Sequence, residues 1–469
     1  MNCLIENSGG LDCAVFTLFG QSFLYSANTL TYFPITNCAK DLLLCKSYFE
    51  NECADKAILR KYPHREIELT ITKLKEFKQN QILAPPSSRE PGNLLFGDYY
   101  LKLVPTRRCN LHCNYCFSEK AGKDSDMSLG VAKKAINYFV FSFVPKTAQR
   151  YIIDLTGAGE PLLRLDFILE VNRYVQEIKR QQKINIFCQL ATNGMLLTPN
   201  VSKKLKENMI LFGVSLDGDK KNSVNARQGL DYDVVKKNIQ LVDDKQFFGL
   251  AATYSHSNHD FIHIFKTLNA FNPGAIGMKP VRLSESCKES INSGNIESIK
   301  KSYNKFMFWL YKQISTGNTA PFYTFMSGED YFAKFLKTVV RPFRLFYRCS
   351  AGLNSFAVDA AGNILICPAF IMNPDGVIGS IDTGIDSDKL NFLKECYADK
   401  IDYCKRCWAR YVCAGECFSV GYMNHKELVK PAPSMCHLKK HLIQLSVYFW
   451  TVLRYEHSDI YSHCLEIYG

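Results

Sequence analysis

Three cysteines, Cys109, Cys113 and Cys116, fall in the spacing C-x3-C-x2-C. They supply three thiolates where a closed [4Fe–4S] cube takes four, so a cube held here keeps one iron open. An open iron can bind a small molecule and act on it. A fully ligated cube only stores or passes electrons. Zinc is the competing reading, but zinc ligands favour two close pairs that complete a tetrahedron. No second pair lies near this triplet.

A second set occupies the C-terminal third: Cys349-x12-Gly362-x4-Cys367, then Cys404-x2-Cys407-x5-Cys413-x3-Cys417, then Cys436. Taken alone, the 404–417 run also fits a zinc knuckle. Beside a triplet suited to an open cube, iron–sulfur chemistry is the more consistent reading. Cys3, Cys13, Cys38, Cys45, Cys53 and Cys188 have no partner spacing and read as core or incidental thiols.

The elements that must position these residues follow from periodicity. Residues 99–104, 151–155, 184–190, 211–216, 247–253 and 275–281 read as buried strands, with helical patterns between them such as 130–141 and 166–180. Six strand–helix repeats predict an α/β fold, a partial (β/α)6 barrel with a parallel sheet over about residues 95–320. The triplet follows the first strand, at the C-terminal face where barrels of this sort carry chemistry. Residues 11–85 read as a small separate α+β, winged-helix-like unit: strands near 14–20, 22–26 and 31–35, then helices near 39–52, 55–62 and 67–79. A Pro- and Ser-rich linker, 84–93, follows. The expected division is 1–88, 95–320, a cysteine-bearing region 335–440 and a helical extension 441–469.

The chain has 469 residues, 47% hydrophobic and 22% charged, with 19 cysteines and a formal charge of +12. The N-terminus lacks a basic n-region and an apolar core, and the longest apolar run, 442–453, is too short and polar to span a bilayer. The cysteines then point to a reducing cytoplasm. Cluster thiolates offset part of the positive charge. The basic residues are dispersed, so an acidic peptide is the expected partner, not nucleic acid or a membrane.

The triplet, with Tyr115 before its last cysteine, resembles the signature of the radical S-adenosylmethionine (SAM) enzymes. Other motifs extend the resemblance. Thr156-Gly157-Ala158-Gly159-Glu160-Pro161 is similar to the family's Gly-Gly-Glu loop, with Ala158 in place of a glycine. Thr192-Asn193-Gly194 follows the third strand, and Ser215-Leu-Asp217-Gly follows the fourth, ahead of Arg227. The resemblance implies SAM chelated by the open iron, Tyr115 near adenine, and residues 157–160 at the SAM ammonium group. It places Asn193 at the pocket, Ser215 and Asp217 at the ribose, and Arg227 at the carboxylate. The second cysteine set resembles a SPASM domain with two auxiliary [4Fe–4S] clusters, making three in all. Cys404, Cys407, Cys413 and Cys436 would hold one, and Cys349, Cys367 and Cys417 the other. Some relatives carry a further cysteine where this chain has Ser355, which leaves a ligand missing. Cys396 is the leading candidate for it, ahead of Cys464 and Cys287.

The stretch 23–33 resembles the RiPP recognition element of peptide-modifying relatives. It implies a module that grips the leader of a ribosomally made precursor peptide, adding it as a strand on an exposed sheet edge. The implied activity is a peptide maturase that forms side-chain cross-links, with carbon–carbon or ether bonds ahead of thioether, fed by flavodoxin or ferredoxin. The alternatives are a sulfatase-type maturase making formylglycine, and a non-catalytic iron–sulfur scaffold.

Overall fold

The computed structural model describes residues 4–6, 11–45, 54–92, 96–118, 126–242, 248–341 and 343–469, with side chains from residue 11 onward. Cys3 and Cys53 lie outside the described residues, as does the end of the helix expected near 39–52.

The N-terminal sheet is an antiparallel meander of β1 (Leu4–Glu6), β2 (Cys13–Leu18), β3 (Gln21–Ser26) and β4 (Thr31–Ile35). Three helices follow, Asn37–Leu44, Lys56–Lys61 and His64–Gln79. The Thr36 hydroxyl accepts from Ala39 N at 3.1 Å to open the first. The Asp55 carboxylate accepts from Ala57 and Ile58 N at 3.0 and 2.9 Å to open the second. Alternation along β2 and β3 divides the residues between two cores. Cys13, Val15 and Leu24 face the module's helices, among Cys38, Leu42, Ile58, Ile67 and Leu74. Ala14, Phe16, Leu18, Phe23 and Tyr25 face the opposite way and join the core of the rest of the chain. The unit expected to stand apart is therefore sealed to the body of the protein by one sheet face.

The main sheet has ten strands. Six are parallel and sequential: β5 (Asp98–Leu103), β7 (Arg150–Asp154), β8 (Ile186–Thr192), β9 (Leu211–Ser215), β11 (Phe248–Tyr254) and β12 (Ala275–Pro280). Short strands β6 (His112–Cys113) and β10 (Arg227–Gln228) pair with each other outside this sheet. Beyond β5 the sheet continues through β13 (Ser355–Val358), parallel to β5, and then antiparallel β14 (Asn363–Leu365), β15 (Val377–Ser380) and β16 (Gly384–Ile385). The cysteine-bearing region is thus hydrogen-bonded to the barrel's first strand.

One face of the six parallel strands is fully buried. Val214 belongs to it and faces the helix Tyr232–Gln240, since a Cβ on Gly194 would meet both Val214 and Val235 at 2.9 Å. The opposite face is half-open and carries Lys102, Asp154, Gln189, Ala191, Gly213, Ser215, Gly249, Ala251, Thr253 and Lys279. Glycine, alanine and polar residues in place of large branched side chains leave a lumen that closed barrels fill. The helix Pro433–Glu456, buried on nearly every side, packs against Ile296–Ser315 and Tyr331–Val339. It begins ahead of the expected extension at 441, so Cys436 lies on its first turn.

Candidate active site

The cysteine triplet occupies the loop leaving the C-terminal end of β5. Its shape is set by backbone bonds to two neighbouring loops. Glu160 N donates to Arg108 O at 2.9 Å, and Asn114 N donates to Ala226 O at 2.9 Å. Pairing of β6 with β10 places Cys113 opposite Arg227. Gly159 is pressed against the loop, and a Cβ there would stand 2.3 Å from Arg108 O. Gly157 is close but less tight, since a Cβ there would stand 3.1 Å from Val104 Cα. Ala158 is accommodated, and its carbonyl accepts from Ser118 Oγ. The small residues after β7 therefore allow two backbones to approach closely.

Glu160 is buried, and its carboxylate is engaged by the protein. It accepts from Thr192 Oγ1 at 2.6 Å, Asn193 N at 2.8 Å and Leu162 N at 3.0 Å. Burial raises its pKa above the ordinary carboxylate range despite these donors. It ties the loop after β7 to the loop after β8. Asn193 Nδ2 donates to Asn110 Oδ1 at 2.7 Å and stands 4.0 Å from Cys109 Sγ, so the third loop reaches the triplet as well.

Three of the residues that the resemblance places at SAM meet one another. Asp217, fully buried, accepts from Arg227 Nε at 2.9 Å, Arg227 Nη2 at 3.1 Å, Thr253 N at 2.8 Å and Tyr115 Oη at 2.5 Å. The Arg227 guanidinium lies 5.6 Å from the centre of the Tyr115 ring. Burial alone would lower the Arg227 pKa, but Asp217, Tyr115 and Cys113 outweigh it and hold it above its ordinary value. The cluster locks the triplet loop to the end of β9. Ser215 lies beside it on the half-open face.

The second cysteine set divides into two groups whose thiols are close enough to raise one another's pKa. Cys349, Cys367 and Cys417 form one, with Arg282 and Lys102 beside them. Burial pushes Cys367 up to about 12. Burial acts in the same sense on Cys417, but Arg282 and the Ser419 hydroxyl outweigh it and hold that thiol below its ordinary value. Cys396 neighbours this group through Cys349. Cys464 instead packs near Tyr323 and Tyr468, and Cys287 is exposed. The second group comprises Cys404, Cys407, Cys413 and Cys436, with Lys439 adjacent. Lys439 is buried and pairs with Glu416 at 2.6 Å. The charged neighbours Arg282, Lys102, Lys439 and Glu416 carry no motif, and nothing in the sequence distinguishes them from surface charges.

The residues fit iron–sulfur groups in the chemistry of the donor set, which is thiols alone, each able to bind a different iron of a cube. Three of the buried polar atoms without a hydrogen-bond partner, Arg107 Nε, Arg348 Nη1 and Trp408 Nε1, belong to residues within two sequence positions of Cys109, Cys349 and Cys407. Sulfur-rich groups accept such bonds.

Residues 103–268 match the family described as the radical SAM superfamily. The cysteine-type anaerobic sulfatase-maturating enzyme of Clostridium perfringens is 24% identical over 332 residues, covering 66% of this chain and 85% of its own. Among solved structures, native anSMEcpe with bound AdoMet gives a TM-score of 0.61 at 19% identity, over 75% of this chain and 98% of that one. SuiB of Streptococcus suis bound to precursor peptide SuiA gives 0.50 at 13% identity, over 92% and 99%. Fold and relatives agree that residues 103–268 of this chain are a radical SAM domain and that the chain is an enzyme.

Proposed function

We propose that this enzyme is a peptide maturase that abstracts hydrogen from a ribosomally made precursor and joins two of its side chains, with carbon–carbon or ether bonds favoured. The observation that carries this reading is a groove of about 740 Å³ on the N-terminal module. It runs between β4, an edge strand of the four-stranded sheet among the described residues, and the helix His64–Gln79, and Tyr455 of the helix Pro433–Glu456 also lines it. Phe33, Ile35, Leu69 and Phe77 line it, with Arg65 and Lys73 among them. An extended leader gains main-chain bonds from the strand edge and apolar contact from the helix. The opposite sheet face is fixed to the catalytic body, so a docked leader holds its core at high effective concentration beside the barrel. The SuiB structure, which contains a bound precursor peptide, shares this fold.

Cys109, Cys113 and Cys116 are the residues that would hold the open cube, and the loops at 157–160, 193, 215–217 and 227 would enclose SAM. Together the bound groups supply an electron and a hydrogen-abstracting radical. The chain's own task is to orient the loops and exclude water. Glu160 braces two of them, and the Asp217–Arg227–Tyr115 cluster fixes the third against the triplet. Cys404, Cys407, Cys413 and Cys436 are proposed to hold one auxiliary cluster, and Cys349, Cys367, Cys417 and Cys396 the other, three clusters in all. A fully ligated site suits an electron acceptor, which favours cross-links that leave no thiol on iron. Flavodoxin or ferredoxin is the proposed donor. All seventeen described cysteines are free thiols, in keeping with a reducing cytoplasm.

The relatedness to a sulfatase-maturating enzyme favours a second reading, oxidation of cysteine or serine to formylglycine. One experiment separates them. Anaerobic co-expression with a candidate precursor, sought as a short open reading frame beside this gene, followed by mass spectrometry, is expected to give a product lighter by a pair of hydrogens and bridged between two residues. An unmodified precursor, together with loss of sulfur from a cysteine-containing sulfatase peptide, would establish the second reading.

A further inference from the structure

The N-terminal module reaches one auxiliary cysteine group through a buried ion pair at Arg410, with aromatic packing at Trp408 beside it. Arg410 lies in the chain segment between Cys407 and Cys413 and is 1% exposed. Its guanidinium spans two parts of the molecule. Nη1 and Nη2 donate to Oδ1 and Oδ2 of Asp12, both at 2.5 Å, in a two-pronged pair across 398 positions of sequence. Nε donates to Asp399 Oδ1 at 3.1 Å, and Nη1 also donates to Cys407 O at 3.2 Å. Asp12 is itself 1% exposed and anchored by its backbone, donating to Ala84 O at 2.7 Å and accepting from Ala27 N at 3.0 Å. Beside the pair, Trp408 packs against two module residues, with ring centroids 6.2 Å from Phe16 and 5.4 Å from Tyr25.

A buried ion pair is a weak stabiliser compared with apolar packing of the same volume, although removing one partner is costly. What such a pair supplies well is geometry, because a guanidinium and a carboxylate fit in one planar arrangement. Here the geometry falls on the backbone of Cys407. We propose that Asp12 is a positioning residue for the auxiliary cluster of Cys404, Cys407, Cys413 and Cys436, so that the leader-binding module forms part of that cluster's cage. This rests on the reading that these four cysteines hold a cluster. It has a corollary: removing the module strips Arg410 of one of its two carboxylates, leaving Asp399, and Trp408 of two aromatic neighbours. The module is then not a detachable accessory, and its loss reaches the redox chemistry as well as peptide capture.

The test uses the full chain, reconstituted anaerobically with iron and sulfide. Iron per chain, the Mössbauer and EPR signatures and 5′-deoxyadenosine formation are measured side by side. Asp12→Asn keeps the shape but removes the charge. It is expected to lose about one third of the iron, one cube of three, while deoxyadenosine formation stays within about twofold because the SAM-binding triplet lies elsewhere. Should that variant fail to fold, Asp12→Asn combined with Arg410→Gln removes both charges of the pair, and Asp399 keeps the Tyr411 hydroxyl as its donor. The same selective loss of iron is expected of it. Wild-type iron content and an unchanged second-cluster signature in either folded variant overturn the proposal. Iron for only one cube in the wild-type chain overturns the auxiliary-cluster reading itself, and this inference with it. Neither result requires the precursor, so both remain distinct from failure of the peptide-maturase reading.

Discussion

Gly159 shows how closely the triplet depends on its neighbours. A side chain there meets backbone on both sides, with Arg108 O at 2.3 Å and Thr106 O at 2.7 Å, and neither atom can swing aside as a flexible side chain would. Gly159→Ala must therefore displace the loop that carries Cys109. A shift of about 1 Å in a reactive geometry costs on the order of a hundredfold in rate, and that is the expected loss of deoxyadenosine formation. Auxiliary iron should be retained, which iron analysis and EPR will check. Full activity in this variant would show that the loop adapts. The motif pointed to this position from the sequence, because the resemblance places residues 157–160 at the SAM ammonium group. The close approach between two protein backbones was not legible there. The partners of Asp217 and Arg227 were not legible at all. Each side chain reads from sequence as a free ligand-binding group, and only the fold shows that they neutralise one another in a buried site.

At the scale of elements the sequence was most informative where burial imposes a period. All six parallel strands fall within two residues of their expected bounds, since helices cover one face of each and the run of apolar side chains records that cover. The strands after residue 350 were not legible. β14, β15 and β16 have two to four residues each, too short for alternation to register. Their place in the sheet depends on β13 pairing with β5, some 250 positions away. The groove proposed for the leader was legible in part. β4 read as a strand, but its position at the sheet edge and the helix that forms the other wall are tertiary facts. Leu69 tests that groove cleanly. It is 64% exposed on the helix His64–Gln79, so a polar replacement costs the fold little. Leu69→Asp places a charge in the apolar wall. It is expected to weaken precursor-leader binding by roughly ten- to a hundredfold, the equivalent of one buried leucine contact, with the melting temperature unchanged. Fluorescence anisotropy with a labelled leader checks both the size and the selectivity of the effect. Unaltered affinity would move the leader site away from this groove.

Across the whole molecule the helix Pro433–Glu456 links the parts. Its first turn carries Cys436, Lys439 follows at the auxiliary group, Tyr448 meets Phe19 of the N-terminal module, and Trp450 Nε1 donates to Leu336 O at 2.8 Å. A helix buried on nearly every side by several units should couple their stability, and His441 offers a way to measure the coupling. It is 6% exposed, and its ring pairs with Asn304 Oδ1 at 2.8 Å on the helix Ile296–Ser315. Burial, aided by the Lys300 ammonium, pushes its pKa down from 6.5 to about 4. Between these values the unfolded chain binds a proton that the folded chain refuses. The contribution is therefore complete above pH 6.5 and declines as the pH falls toward 4, by about 3 kcal/mol over the window. Asp330, buried against Tyr303, is pushed up to about 7 and acts in the opposite sense, because its folded form holds a proton that the unfolded chain releases. The two slopes oppose each other in the wild-type chain, so the informative quantity is a difference. Measured by chemical denaturation from pH 4.5 to 7.5, wild type minus His441→Gln should become steadily less favourable to wild type as the solution is acidified below pH 6.5, and should be flat above it. If the helix couples the units, the acid-sensitive loss will appear in one cooperative transition, with the N-terminal module and the barrel unfolding together. Two transitions, of which only one depends on pH, would show that the shared core does not bind the units into a single cooperative structure.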